Sequence, residues 1–177
     1  AMGVNFTELS YLSRLAKRSA GMSIEAMRAE LTAVAQRDRR YPVPLVLVML
    51  GVSCGSFAAI FGADPWGIGL AMLAGTAGAA TRHFLHKRHF KPFIYCLIAA
   101  LVSASVVCAS ASATTTFDAA VTASILFLIP GVPMLNGTAD LLTSNYLNGL
   151  VRLTRAAVIL LGAALGLALA LAFWEQL

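Results

Sequence analysis

Residues 119–140 read Ala119-Ala-Val-Thr-Ala-Ser-Ile-Leu-Phe-Leu-Ile-Pro-Gly-Val-Pro-Met-Leu-Asn-Gly-Thr-Ala-Asp140, and they decide what kind of molecule this is. The run carries no charge before its final acid. It is long enough to cross a hydrocarbon core, which takes about 20 mostly apolar residues. It cannot cross as one regular helix. Pro130 removes an amide donor and crowds the preceding turn, while Gly131 tolerates an unusual backbone angle. Pro133 suits the first turn of a new helix, where a missing N–H is harmless. The expectation is a helix broken within the membrane and restarted near Pro133. Irregular backbone at that depth persists only where protein or a wet cavity satisfies its polar groups.

Four more uncharged runs surround this one: Tyr41–Ala63, Pro65–Thr81, Pro92–Phe117 and Ala156–Trp174. The 13 Lys and Arg residues fall into three of the gaps between them. Arg14, Lys17, Arg18, Arg28, Arg37, Arg39 and Arg40 precede the first run; Arg82, Lys87, Arg88 and Lys91 follow the second; Arg152 and Arg155 precede the last. The remaining gaps hold Asp64 and Asp118, and Glu175 lies in the tail. The positive-inside rule then gives five crossings, with the N-terminus cytoplasmic and the C-terminus outside. The expected fold is all-α: a polytopic membrane domain over 41–177, with five transmembrane helices and a broken fourth. A cytosolic amphipathic segment over 1–40 precedes it.

The chain is 59% hydrophobic and 12% charged, with a mean hydropathy of +0.79, outside the range of ordinary soluble domains. Its net charge of +5 does not point to nucleic acid. The cations flank apolar runs without interleaved aromatics, so they read as topology signals and contacts to anionic lipid headgroups. Cys54, Cys96 and Cys108 lie inside the runs with neither CxxC spacing nor companion His, and read as small packing residues. In the N-terminal segment Leu9, Leu12, Leu15 and Ala16 share one helical face. After a turn at Ala20-Gly21, Ser23 caps a second helix with Ile24, Met27, Leu31 and Val34 on its stripe. These helices are expected to pack on the spans, and Pro42 and Pro44 end the segment and open the first span. No secretory signal is visible, and Ala1-Met2-Gly3 reads as a cloning remnant.

Small residues dominate the spans. Gly51–Gly55 and Gly162–Gly166 are GxxxG spacings that let helix backbones approach. The second run is a ribbon of Gly and Ala, and the third continues with Ser103, Ser105, Ser110 and Ser112. Such surfaces suit a compact bundle whose helices slide or line a polar path.

Chemistry concentrates at the break. A restarted helix offers free N–H groups and a partial positive charge to an anionic solute. Asn136 and Asp140 follow one turn apart, the first able to donate and accept, the second able to carry a proton or orient an ammonium group. The same residues also read as a proline kink with Asp140 in a cytoplasmic loop beside Arg152, and spacing alone does not choose. Gly51-Val-Ser-Cys-Gly55 matches GxSxG, but that motif needs a strand-to-helix turn and a partnering His, so an enzyme is not expected. His83, His86 and His89 recur among basic residues in what reads as a solvated loop, which opposes a metal. No phosphate-cradling loop is present, so no nucleotide or other cofactor is expected.

Leu128-Ile-Pro-Gly-Val-Pro-Met-Leu-Asn-Gly-Thr-Ala-Asp140, continuing to Asn145-Tyr-Leu-Asn-Gly-Leu-Val-Arg152, resembles the threonine/serine exporter family, in the form that carries a cytosolic region followed by five spans. The resemblance implies export of threonine, serine or a dicarboxylate such as succinate across a bacterial inner membrane, driven by the proton-motive force. It places the substrate site at Pro130, Gly131, Pro133, Asn136 and Asp140, with Arg152 as an anion or ion-pair partner. It also implies a longer cytosolic region than the one seen here. A second small membrane subunit, or a further copy of the chain, would complete the pathway.

Overall fold

The computed structural model describes residues 6–18, 22–36 and 41–176, with side chains described at 10–18, 22–32 and 41–176. Ala1-Met2-Gly3, the Ala20-Gly21 turn, the side chains of Leu9 and Val34, and Arg37, Arg39 and Arg40 lie outside the described residues. The chain divides into two compact units, Ala1–Tyr41 and Pro42–Leu177.

The first unit holds α1 (Phe6–Arg18) and α2 (Ile24–Gln36). Ser23 Oγ accepts the Ala26 N–H at 3.3 Å, the cap that the sequence suggests. The Tyr11 hydroxyl donates to the Glu30 carboxylate, tying the two helices together. Leu15 is buried, whereas Ile24 is 86% exposed, so the expected stripe on α2 is not covered along its length.

The second unit contains α3 (Val43–Ile60), α4 (Pro65–Lys87), α5 (Pro92–Cys108), α6 (Phe117–Ser124), α7 (Gly131–Leu142) and α8 (Tyr146–Trp174). Short 3₁₀ turns at Ala111–Ala113 and Leu126–Leu128 flank α6. Prolines open three of these helices: Pro44, Pro65 and Pro92 stand in first turns where no amide is missed. The helix ends are equally specific. The turns after α3, α4 and α7 place Gly62, His89 and Ser144 at φ of 80°, 60° and 64°. Paired backbone bonds close each end, such as Ala63 N–H to Ala58 O at 2.9 Å and Asn145 N–H to Asp140 O at 2.8 Å.

Length and composition qualify α3 and α8 to cross a membrane, and a third span follows if α6, its 3₁₀ turn and α7 form one crossing bent by 64°. Five crossings would need α4 and α5 as well. α5 is a shorter apolar helix, and α4 is long but built of Gly, Ala and Thr, whose side chains contribute little hydropathy.

Three boundaries differ from the sequence reading. α5 stops at Cys108, so Ser110 and Ser112 lie beyond it, at the start of and within a 3₁₀ turn. α4 runs through Arg82, His83, His86 and Lys87, which shortens the basic loop to its last few residues. α8 starts well before Ala156, making Arg152 and Arg155 helical. A charge ends an apolar run but not a helix, and neither stretch contains a proline.

The core is assembled from small side chains: the largest fully buried ones are Val107, Cys54, Cys96, Ser103 and Ser124. Backbones therefore approach closely. A Cβ at Gly51 would stand 2.0 Å from Thr76 Oγ1 across the α3–α4 seam, and one at Gly166 would stand 2.2 Å from Leu97 O across α5–α8. Both GxxxG pairs thus sit in close helix contacts. The three cysteines are free and buried.

Candidate functional site

The junction between α6 and α7 shows how a chain leaves helical geometry inside a bundle. In a continuous helix the carbonyls of Ser124 and Phe127 would accept from the amides four residues on. Instead Leu128 N–H bonds Ile125 O at 3.0 Å, and Gly131 N–H bonds Ile129 O at 2.9 Å across Pro130, which has φ −81° and ψ 63°. That is an inverse γ-turn. The two freed carbonyls find side chains from other helices. Ser103 Oγ on α5 lies 2.8 Å from Ser124 O and 3.0 Å from Ala74 O, sharing one proton between them. Arg82 on α4 donates from Nη1 to Phe127 O at 3.3 Å.

The restarted helix offers less to an anion than its sequence suggests. Gly131 N–H is occupied by the γ-turn, Pro133 has no N–H, and Met134 N–H bonds Pro130 O at 3.1 Å. Among the described residues this leaves the Val132 amide as the free donor of the first turn. Gly131 does not take a left-handed angle, and a Cβ there would meet nothing within 4 Å. Its glycine freedom is unused in this conformation.

At the far end of α7 a second cluster forms. Gly137 and Gly149 bring α7 against the start of α8: a Cβ at Gly149 would lie 2.8 Å from Gly137 O. One turn along, Arg152 Nη1 stands 2.7 Å from Asp140 Oδ2, with the two side chains 50% and 22% exposed. Oδ2 is buried and receives no aligned hydrogen bond, so the pair is a charge contact. Asp140 is therefore on a helix rather than in a loop, and it stands beside Arg152 as the alternative reading had it.

The six sequence candidates consequently separate. Pro130, Gly131 and Pro133 mark the break; Asp140 and Arg152 meet near the other end of α7, about 14 Å away at the helical rise. Asn136 lies between them, exposed. The sequence reading missed Arg82, hidden among topology signals, and Gly137 and Gly149, which fall outside any GxxxG spacing. The histidines are likewise not in a common loop: His83 and His86 are on α4, and His86 stacks edge-on against Tyr95 at 5.7 Å.

At the opposite end of the bundle, Asp64 caps α4 by accepting Gly67 N–H at 3.0 Å. The same oxygen takes the hydroxyls of Thr114 and, at 2.7 Å, Thr116. Those two hydroxyls, assisted by the Gly67 and Thr115 amides and opposed by desolvation, hold the carboxyl down to about 2. An open cleft of about 520 Å³ lies beside this turn, between Phe61, Thr116, Asp118 and Thr122. None of the candidates lines it.

Apolar helices around a small-residue core, with a bent helix pair whose free carbonyls other helices satisfy, make the described residues all-helical and point to a membrane protein. A family model described as "Putative threonine/serine exporter" (ThrE) matches residues 1–174, and the chain belongs to that family. It is 32% identical over 138 residues to the "Probable succinate transporter subunit YjjP" of Escherichia coli K12, covering 76% of this chain and 54% of that protein. It is 29% identical over the same length to the protein of that name from Klebsiella aerogenes, with the same coverage. The chain spans about half the length of these curated relatives. No solved structure matches it.

Proposed function

We propose that this chain is a secondary-active exporter subunit that moves small carboxylate-bearing metabolites, threonine and serine or a dicarboxylate such as succinate, across a bacterial inner membrane. Its second unit crosses five times, with α6 and α7 together forming the broken fourth span, the N-terminus cytoplasmic and the C-terminus outside. Asp140 carries the coupling proton, with Arg152 as its ion-pair partner. A second small membrane subunit, or a second copy, completes the pathway.

The observation that carries this reading is the 64° break, whose freed carbonyls are satisfied by Ser103 and Arg82 from neighbouring helices. Membrane proteins keep irregular backbone at depth where solutes bind. Family membership and the names of the relatives support this choice of substrate class.

The test is counterflow in proteoliposomes containing the full-length protein, with and without its candidate companion, against radiolabelled threonine, serine and succinate. Accumulation of one of them supports the reading; none, in either preparation, sinks it. One observation favours a rival role as an assembly subunit without its own substrate site. α7 packs chiefly on α8 and leaves Leu135 and Leu142 largely exposed, as a docking helix would. Under that role no carboxylate shifts the thermal unfolding of the protein, even with the companion present.

A further inference from the structure

Arg82 is a cation held at a helix junction without a counter-charge among the described residues. It follows Gly78 by one turn of α4, and a Cβ at Gly78 would stand 2.9 Å from Phe127 Cζ and from Ser103 Cβ, and 3.1 Å from Ala99 O. That turn of α4 is therefore pressed into the meeting point of α5 and the unwound segment. The guanidinium is partly buried, and its bond is the 3.3 Å contact to Phe127 O. Each carboxylate of this unit is engaged or placed elsewhere. Thr114 and Thr116 hold Asp64, Arg152 holds Asp140, Asp118 opens α6, and Glu175 follows α8.

A guanidinium carries five donors in a planar fork, matched to the two oxygens of a carboxylate. One long bond to a neutral carbonyl leaves most of that fork unfilled. A charge partly withdrawn from water is costly unless it is paired or meets a ligand. Snorkelling to the interface is the ordinary escape for a long basic side chain. Lys87, Arg88 and Lys91 do stay exposed, but Arg82 turns toward Phe127 O instead.

We infer that Arg82 binds a carboxylate of the transported solute at the break, with the Phe127 carbonyl as its resting partner. Arrival of the anion replaces a neutral acceptor by a charged bidentate one, a bond roughly twice as strong. Release of Phe127 O then loosens the segment that joins α6 to α7. The inference rests on the carboxylate-export reading above and adds to it a residue and a recognition chemistry.

The experiment is uptake of radiolabelled succinate and threonine into inside-out membrane vesicles from cells expressing the full-length protein together with its candidate companion. The variants are Arg82→Gln, Arg82→Lys and the exposed Arg88→Gln. Half-saturation should rise at least tenfold in Arg82→Gln and severalfold in Arg82→Lys, but stay within twofold in Arg88→Gln. Succinamide, which lacks both charges, should not compete with succinate in the unaltered protein. Half-saturation within twofold of the unaltered protein for Arg82→Gln overturns the inference, as does an equal rise in Arg88→Gln, which would mean only a general attraction of anions. If Arg82→Gln does not reach the membrane, Arg82→Lys decides by the same criterion. Vesicles of the unaltered protein that take up neither solute fail the export reading itself, a different result from a silent Arg82.

Discussion

The two ends of the six-helix unit are built on opposite principles. At one end, Asp64 draws the α3–α4 turn and the segment after α5 together through Thr114, Thr116 and the Gly67 amide. At the other, α7 leans on the start of α8, with an ion pair half open to its surroundings. At the first end the Asp64 carboxylate is answered within the fold; among the described residues the second leaves Asn136, the Val132 amide and most of the Arg82 fork with capacity to spare. A bundle fixed at one end and unfinished at the other is suited to open at the second. The following experiments would break or sharpen that contrast.

The largest effect is expected where both ends depend on one seam. Gly166→Val would force a side chain into a position where a Cβ already stands 2.2 Å from the Leu97 carbonyl. Overpacking of this kind costs about 1–3 kcal/mol or more. Backbone cannot yield as a flexible side chain does, so thermal melts should show little cooperative unfolding.

Asp140→Asn comes next and should separate transport from stability. Export falls at least about tenfold if the carboxylate carries the proton. Stability changes by less than about 1 kcal/mol, because a half-exposed ion pair contributes little. A melt displaced much further would show the corner to be as firmly built as the Asp64 end, erasing the contrast. Arg152→Gln should match it in stability.

Asp64→Asn probes the fixed end by pH. The folded carboxyl sits near 2, below its ordinary 3.8, so its contribution is fully present above 3.8 and disappears as pH falls through about 2. The unaltered protein should melt higher than the variant at pH 7, with the gap closing between those two values. A gap that stays constant down to pH 2 would mean that the charge of Asp64 is not what holds the turn.

The smallest effect is expected at Ser144, which ends α7 at φ 64°. A left-handed angle costs an L-residue about 1–2 kcal/mol relative to glycine, partly recovered in the unfolded chain. Ser144→Gly should therefore raise the melting temperature slightly and leave export unchanged.

Much of this was legible in the residues. Pro130-Gly131 announces the break, because proline cannot donate and its ring crowds the preceding turn. Because glycine permits such approach, the GxxxG pairs announce close helix contacts, though not that they join α3 to α4 and α5 to α8. What was not legible has physical reasons. Arg82, His83 and His86 look like a loop because hydropathy drops there, yet helices are ended by caps and breakers. The Asp64–Thr114 bond joins residues 50 positions apart, beyond the reach of any local pattern. Arg82 was counted as a topology marker, since its turn toward Phe127 O is a tertiary fact. The free amides expected after Pro130 were reduced by a γ-turn that the sequence permits but does not dictate.

The 29 residues of α8 form one uninterrupted rod that rests on α5 along its second half and carries α7 on its first. Arg152 lies about 21 Å along that rod from Gly166, at 1.5 Å per residue. A lever of that length converts a tilt of about 10° into a sweep of nearly 4 Å at its tip, by the same geometry. Small adjustments where bare glycine meets a carbonyl would thus arrive at the Asp140 corner magnified.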